Sequence, residues 1–375
     1  MKYFLLIAFL FSATIISAQH KVTFIIEGLP SYHDSNALVY LAGSINNWNP
    51  QDAAYHFNKD EKGLYVLTLS LPTGKYDYKL TRGGWDSAET AAGGAPLPNR
   101  MVEVSGDMET KITVADWADH FEITPAVSTA NAQVKILDTA FYMPQLNRSR
   151  RIWIYLPKEY EISNKKYPVL YMHDGQNIFD DTSSYSGEWG VDEALDSLGK
   201  GCMDIIVVAI DNGGDKRMNE YSPYDMEKFG KGEGGAYAEF LVKTLKPYIN
   251  QHYRVSKKRK HNFIAGSSMG GLISLYTVLK YPKSFGGAGI FSPAFWIAPG
   301  IEKAVMDKGK KVKTRLYFHA GMLEGDQMVP DMLNIFEKMN SVSRVEMVSV
   351  IRAEGRHHEA AWRKEFPFFY CWMVE

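Results

Sequence analysis

Short apolar runs separated by turn residues fill the first third of the chain. Residues 22–26, 37–42, 64–71, 76–81 and 101–104 have strand length. Tyr65, Leu67 and Leu69 alternate with neighbours on the other face, and Asn47, Pro72, Gly74, Gly83 and Gly84 supply the turns. No helical period accompanies them, so residues 19–115 are expected to form a small antiparallel, all-β, immunoglobulin-like sandwich. Residues 116–133 contain Asp116, Trp117, Pro125 and the polar run Ser128-Thr-Ala-Asn131, a composition that suits a linker.

The pattern changes from Val134. Residues 151–156 alternate and stop at Pro157, as an antiparallel strand does. The runs 168–172, 205–210, 263–265, 289–291, 316–318 and 347–351 are apolar throughout, and helical spacing recurs between them, at 236–249 and 332–339 for instance. Unbroken apolar strands alternating with helices predict an α/β domain over 134–375, a mostly parallel sheet covered on both faces. Such sheets hold ligands beyond the carboxyl ends of their strands. His173-Asp-Gly-Gln-Asn177, Asp211-Asn-Gly-Gly214, Ser292-Pro293, Gly321-Met-Leu-Glu324 and Glu354-Gly-Arg-His-His358 all follow a strand and should share one rim.

One strand end carries more specific chemistry. Gly266-Ser-Ser-Met-Gly270 joins the run 263–265 to helical spacing at Leu272, Ile273, Leu275 and Tyr276. Strand, G-x-S-x-G and helix together make a nucleophile elbow, in which so sharp a turn around Ser268 needs side-chain-free neighbours, here Gly266 and Gly270. A serine hydroxyl needs a base, and the base needs an orienting acid. In the order Ser, acid, His, the acid candidates are Glu324 and Asp326, and the base candidates are His357 and His358. His319 lies inside an apolar run and should pack there, while His261 merely begins one. For the oxyanion, Met269 N–H is the expected first donor, with the second from Gln176 or Gly175, Gln176 being favoured.

Composition narrows the setting. A net charge of -1 leaves no electrostatic footprint for nucleic acid or anionic lipid. Lys2, the apolar run 4–11 and small residues at Ser17 and Ala18 read as a signal peptide over 1–18, too short to span a bilayer, so a secreted or periplasmic protein without stable membrane insertion is expected. Cys202 and Cys371, the only cysteines, sit in apolar surroundings and are expected to be buried free thiols. No metal site is apparent, because His173-Asp174 and His357-His358 are accounted for by the oxyanion turn and the base. Acyl transfer through a serine nucleophile of this kind needs no cofactor.

Two resemblances refine this. Tyr40-Leu-Ala-Gly-Ser-Ile-Asn-Asn-Trp-Asn-Pro50, Gly74-Lys-Tyr-Asp-Tyr-Lys79, Gly84-Trp85 and Asn99-Arg-Met-Val-Glu-Val104 resemble a glycogen- or starch-binding module. That resemblance implies an α-glucan held by Trp48, Lys79, Trp85 and Asn99. Arg151-Ile-Trp-Ile-Tyr-Leu-Pro157, Leu170-Tyr-Met-His-Asp-Gly-Gln-Asn177, Gly266-Ser-Ser-Met-Gly-Gly271, Gly321-Met-Leu-Glu324 and His357-His-Glu-Ala-Ala-Trp362 resemble the family of esterase D, siderophore esterases and family 1 carbohydrate esterases. It implies an α/β-hydrolase fold with Ser268 as nucleophile, Glu324 as acid and His357, five residues before Trp362, as base. Where relatives read His-Asn-Glu this chain has His-His-Glu. The expected activity is release of acetyl or feruloyl-type acyl groups from a saccharide, the substrate being a small-molecule or polysaccharide ester. The alternatives are a triscatecholate siderophore esterase and a glucan-binding protein with an inert hydrolase domain.

Overall fold

A computed structural model describes residues 19–121, 127–199 and 202–375. The expected signal peptide lies outside them. The chain divides into two compact units, Met1–Pro125 and Ala126–Glu375.

The first unit contains β1 (Gln19–Gly28), β2 (Tyr40–Gly43), β3 (Asn58–Lys59), β4 (Tyr65–Pro72), β5 (Gly74–Thr81), β6 (Glu89–Thr90), β7 (Arg100–Val104), β8 (Met108–Thr113) and β9 (Asp116–Trp117). They form sheets ordered β3-β4-β1-β8, β2-β5-β7 and β6-β9. Alternation works as the pattern predicts: Val22, Phe24 and Ile26 of β1 turn inward onto Leu41, Tyr78 and Leu80. Two details differ. β1 pairs β8 in parallel, Val22 facing Met108, so the sandwich is not wholly antiparallel. Asp116 and Trp117 are not linker, since Trp117 is fully buried in this core and pairs with Glu89. Residues 128–131 belong to the second unit, where Ser128 Oγ donates to Asp180 Oδ2 and Asn131 N–H to Asp192 Oδ2.

The second unit is an α/β-hydrolase fold. Its strands are β10 (Val134–Met143), β11 (Arg148–Tyr155), β12 (Val169–His173), β13 (Ile206–Ile210), β14 (Asn262–Ser267), β15 (Gly287–Phe291), β16 (Arg315–Gly321) and β17 (Met347–Arg352). They lie in the order β10-β11-β13-β12-β14-β15-β16-β17, antiparallel through β10 and β11 and parallel from β13 onward. Every residue of β12, β13, β14 and β15 is buried, which is why these strands are apolar without alternation. The helices are α1 (Val191–Leu198), α2 (Arg217–Tyr221), α3 (Gly234–Phe240), α4 (Lys246–His252), α5 (Met269–Lys280), α6 (Gly300–Lys308), α7 (Met328–Val342) and α8 (Glu359–Val374). The helix expected over 236–249 is interrupted by a π turn, Leu241–Leu245, just ahead of Pro247, which has no N–H to continue an α ladder. From β12 the chain passes to β13 on one side, then to β14 on the other. That reversal puts the crevice between β12 and β14, where the turn after His173 and the turn at Ser268 both emerge.

Cys202 and Cys371 are not free thiols. They form a disulfide with Cα atoms 6.0 Å apart, an ordinary separation for the bond. Apolar flanks are equally compatible with either state, and a separation of 169 residues conceals the proximity that folding creates.

Candidate active site

Ser268 sits between β14 and α5 with φ 58° and ψ −119°. An L-residue in that region is strained by about 1–3 kcal/mol and needs support from its surroundings. The support is backbone: Ser268 N–H donates to Phe291 O at 2.9 Å, and its carbonyl accepts from Leu272 and Ala294, each at 3.1 Å. The flanking glycines are required by contact. A Cβ on Gly266 would stand 2.8 Å from His173 Cδ2, and one on Gly270 would stand 3.3 Å from Asp174 Oδ2. The hydroxyl of Ser268 has no hydrogen-bond partner among the described residues.

The turn after β12 packs beneath this elbow. His173 is buried with Nδ1 3.0 Å from Tyr237 Oη, and burial pushes its imidazole down to about 4, so it is neutral. Asp174 adopts the left-handed region, φ 58°, and its carboxylate takes Arg217 Nε and Nη2 at 2.6 and 2.8 Å and Asn212 Nδ2 at 2.7 Å. Burial alone would raise that carboxyl, but the Arg217 guanidinium and the Asn212 amide hold it below its ordinary value. Gly175 lies against β13, where a Cβ would meet Asp211 N at 2.8 Å. Gln176 is half-buried, and its Oε1 accepts Asn212 N–H at 3.0 Å. Both expected second donors therefore lie on a pinned turn, and Met269 is buried as the first residue of α5.

Acid and base candidates meet directly. His357 Nδ1 lies 2.7 Å from Glu324 Oε2. Glu324 Oε1 accepts from Ser292 Oγ at 2.8 Å and from Gly321 N at 2.5 Å. Burial works to raise the Glu324 carboxyl, yet hydrogen bonds from His357, Ser292 and Gly321 outweigh it and hold the group below its ordinary value. An ionised carboxylate only accepts, so Nδ1 carries the proton and Nε2 is the basic nitrogen of the neutral ring. The His357 ring stands edge-on to Trp362, centroids 5.2 Å apart, with its side chain 36% exposed.

The other candidates separate from this pair. His358 caps α8, its Nδ1 accepting Ala361 N–H at 3.3 Å, and Asp326 is exposed. His319 packs inside β16 as expected. Ser292 went unrecognised as a contributor. Trp362 Nε1 donates to its Oγ at 2.8 Å, which passes the next hydrogen bond to Glu324. Its position directly after β15 was the available signal. Arg217, the partner of Asp174, is marked by nothing in the sequence.

In the first unit, Trp48 and Trp85 lie together with ring centroids 6.2 Å apart. Asn47 and Trp48 have φ of 54° and 60°, a turn braced by Asn46, whose side chain bonds Gly43 N, Leu41 O and Asn49 O. Trp85 is 47% exposed. Lys79 Nζ donates to Leu97 O at 2.7 Å, in the loop that also carries exposed Asn99.

Comparison with known proteins agrees with both units. Residues 143–369 match the family model described as Putative esterase, and residues 37–123 match that of the pullulanase X25 domain. An α-amylase of Niallia circulans is 44% identical over 101 residues, 26% of this chain but only 8% of the amylase. An endo-1,4-beta-xylanase/feruloyl esterase of Xylanibacter ruminicola is 24% identical over 237 residues, 61% of this chain and 30% of that protein. These alignments therefore span a minor part of each relative. Among solved structures, the enterobactin esterase of Shigella flexneri matches with a TM-score of 0.55 at 14% identity, over 94% of this chain and 92% of that one. That likeness is one of fold.

Proposed function

This chain belongs to the Putative esterase family of carboxylic ester hydrolases, and we propose that it deacylates an ester-decorated saccharide through Ser268, His357 and Glu324. The reading is supported by the 2.7 Å bond between Glu324 and His357, in a fold that also carries Ser268 on a strained elbow. His357 Nε2 takes the Ser268 proton as Oγ attacks the ester carbonyl. Met269 N–H, with Gln176 or Gly175 N–H, receives the oxyanion. The imidazolium, held by Glu324, protonates the departing sugar alkoxide and leaves an acyl-serine. Water deprotonated by the same nitrogen then releases the acid. The Ser268–His357 hydrogen bond forms on substrate binding, as such bonds commonly tighten in the complex.

The saccharide part rests on the paired tryptophans and the X25 match, with Trp48, Lys79, Trp85 and Asn99 as the α-glucan contacts. The feruloyl esterase relative supports an aromatic acyl group beside acetyl. Export is supported by the sequence of residues 1–18 and by the disulfide, a bond of oxidising compartments. No helix among the described residues is long and apolar enough to cross a membrane. We take residues 19 to about 121 as the sugar-binding module and the remainder as the catalytic domain. Ser268→Ala should abolish hydrolysis of p-nitrophenyl acetate and labelling by a fluorophosphonate; retained turnover removes the mechanism, and an unlabelled wild type points to an inert domain. Likeness to the enterobactin esterase over 94% of the chain favours siderophore esters as the second reading. Product chromatography after incubation with acetylated xylan, feruloylated xylan or an iron triscatecholate separates the two.

A further inference from the structure

Three carboxylates outside the triad gather where the chain enters α1. Carboxylate oxygens of Glu188, Asp192 and Glu193 lie within 4.8 Å of one another. Glu188 is only 3% exposed and Asp192 is 0% exposed. Each has one satisfied oxygen: Glu188 Oε1 accepts from Arg363 Nη2 at 2.8 Å, and Asp192 Oδ2 accepts from Asn131 N–H at 2.8 Å. Glu188 Oε2 and Asp192 Oδ1 are buried with no hydrogen-bond partner among the described residues. An anionic oxygen sealed from water without a donor is among the costliest groups a fold can carry, and two side by side also repel. The Arg363 guanidinium offsets one of the three charges, while burial and the neighbouring Glu193 carboxylate push the Glu188 and Asp192 carboxyls up, so a cation or a proton has to balance what remains.

We propose that Glu188, Asp192 and Glu193 bind a hard divalent cation of the calcium class. The donors are all oxygen, which suits alkaline-earth ions and not the softer metals that select nitrogen or sulfur. Calcium holds oxygens at about 2.3–2.6 Å, so two of its ligands can stand up to about 5 Å apart, which the 4.8 Å spread satisfies. It also accepts an irregular ligand set completed by water, and the exposed carboxylate of Glu193 gives an entry path. The consequence reaches the triad through packing. Trp189, between the ligands, has its ring centroid 5.6 Å from Trp362 and 4.9 Å from Phe291, and Glu188 is tied to Arg363 of α8. The cation thus braces the first turn of the helix that follows His357.

The test uses the full chain stripped with EDTA. Millimolar calcium should raise the melting temperature saturably, and terbium should give luminescence sensitised through Trp189 that calcium displaces. Asp192→Asn should weaken terbium binding at least about tenfold and abolish the calcium-dependent rise. In EDTA it should melt at or above the wild type, because the amide removes an uncompensated buried charge; this separates lost binding from failed folding. Glu193→Gln, at an exposed position, should weaken terbium binding without changing the EDTA melting temperature. The proposal is overturned if wild type ignores calcium and gives no saturable luminescence, or if Asp192→Asn responds as wild type does. Stability that rises on acidification but not with calcium also overturns it, since a shared proton then neutralises the cluster. An equal response to magnesium rejects the calcium class.

Discussion

Glu324→Gln removes one charge and almost no volume, and its surroundings decide which way the new amide faces. Glu324 Oε1 receives two donors, Ser292 Oγ at 2.8 Å and Gly321 N at 2.5 Å. A backbone N–H cannot turn away, so the amide oxygen takes this place and the NH2 group takes that of Oε2, 2.7 Å from His357 Nδ1. A donor there requires a lone pair on Nδ1 and moves the ring proton to Nε2. The nitrogen that should accept the Ser268 proton is then already protonated. In a Ser-His-Asp enzyme the equivalent exchange lowers kcat about 10⁴-fold, which is about 5.4 kcal/mol of transition-state stabilisation. We expect kcat/KM for p-nitrophenyl acetate to fall by about three to four orders of magnitude, mostly in kcat. Because both Oε1 donors keep an acceptor, the melting temperature should change by only a few degrees, about the effect of 1 kcal/mol or less. A fall of less than about tenfold refutes this account of Glu324, and a larger fall for Asp326→Asn transfers the role to Asp326.

The adjacent histidines should part clearly. His357→Ala should lose at least about 10³-fold in kcat/KM, whereas His358→Ala should stay within about threefold and lose about 1 kcal/mol of stability as α8 loses its cap; equal kinetic losses would contradict the assignment. Because the Glu324 carboxyl is held below its ordinary 4.5, its stabilisation is complete above that pH and is lost as pH falls through the lower folded value. Urea midpoints of wild type and Glu324→Gln should therefore converge on acidification. Reducing the Cys202–Cys371 bond opens a loop of 169 residues, worth up to about 5 kcal/mol by chain entropy, measurable as a lower guanidinium midpoint in Cys202→Ser. Trp85→Ala should abolish retardation in a glycogen affinity gel, and an unretarded wild type would end the glucan reading.

Much of the frame is legible in the sequence because burial on both faces leaves one kind of pattern. The apolar run 205–210 could be little else than a central strand, and the glycines around Ser268 meet a steric demand visible without coordinates. What stays hidden depends on proximity across the chain. His357 and His358 are neighbours with the same chemistry, and only the start of α8 turns one ring toward Glu324 and the other back onto Ala361. The helix itself is masked by Pro367, which it carries within its length. Trp117 lies in a stretch whose polar flanks resemble a linker, yet it fills the core of the first unit. Ser292, at φ 42°, reads locally as the turn before a proline, and its bond to Glu324 spans 32 residues.

The first turn of α8 is where these hidden contacts collect. His358 caps it, Glu359 Oε1 accepts from Asn177 Nδ2 in the turn after β12 at 2.9 Å, Trp362 holds Ser292 against Glu324, and Arg363 pairs with Glu188. The candidate acid, base and oxyanion turn are thus tied to one short segment, through the buried Trp362–Ser292 bond and the partly buried Glu359–Asn177 bond among others. The loop tips around that segment have the opposite character. Trp296 follows Ser292, Met322 and Leu323 precede Glu324, and all three are exposed. Side chains free of the buried network can change without disturbing the triad. The geometry of the Glu324–His357 pair is therefore set by α8 and the strand ends, and these exposed positions are where substitution should alter acyl preference, if any does, without altering that pair.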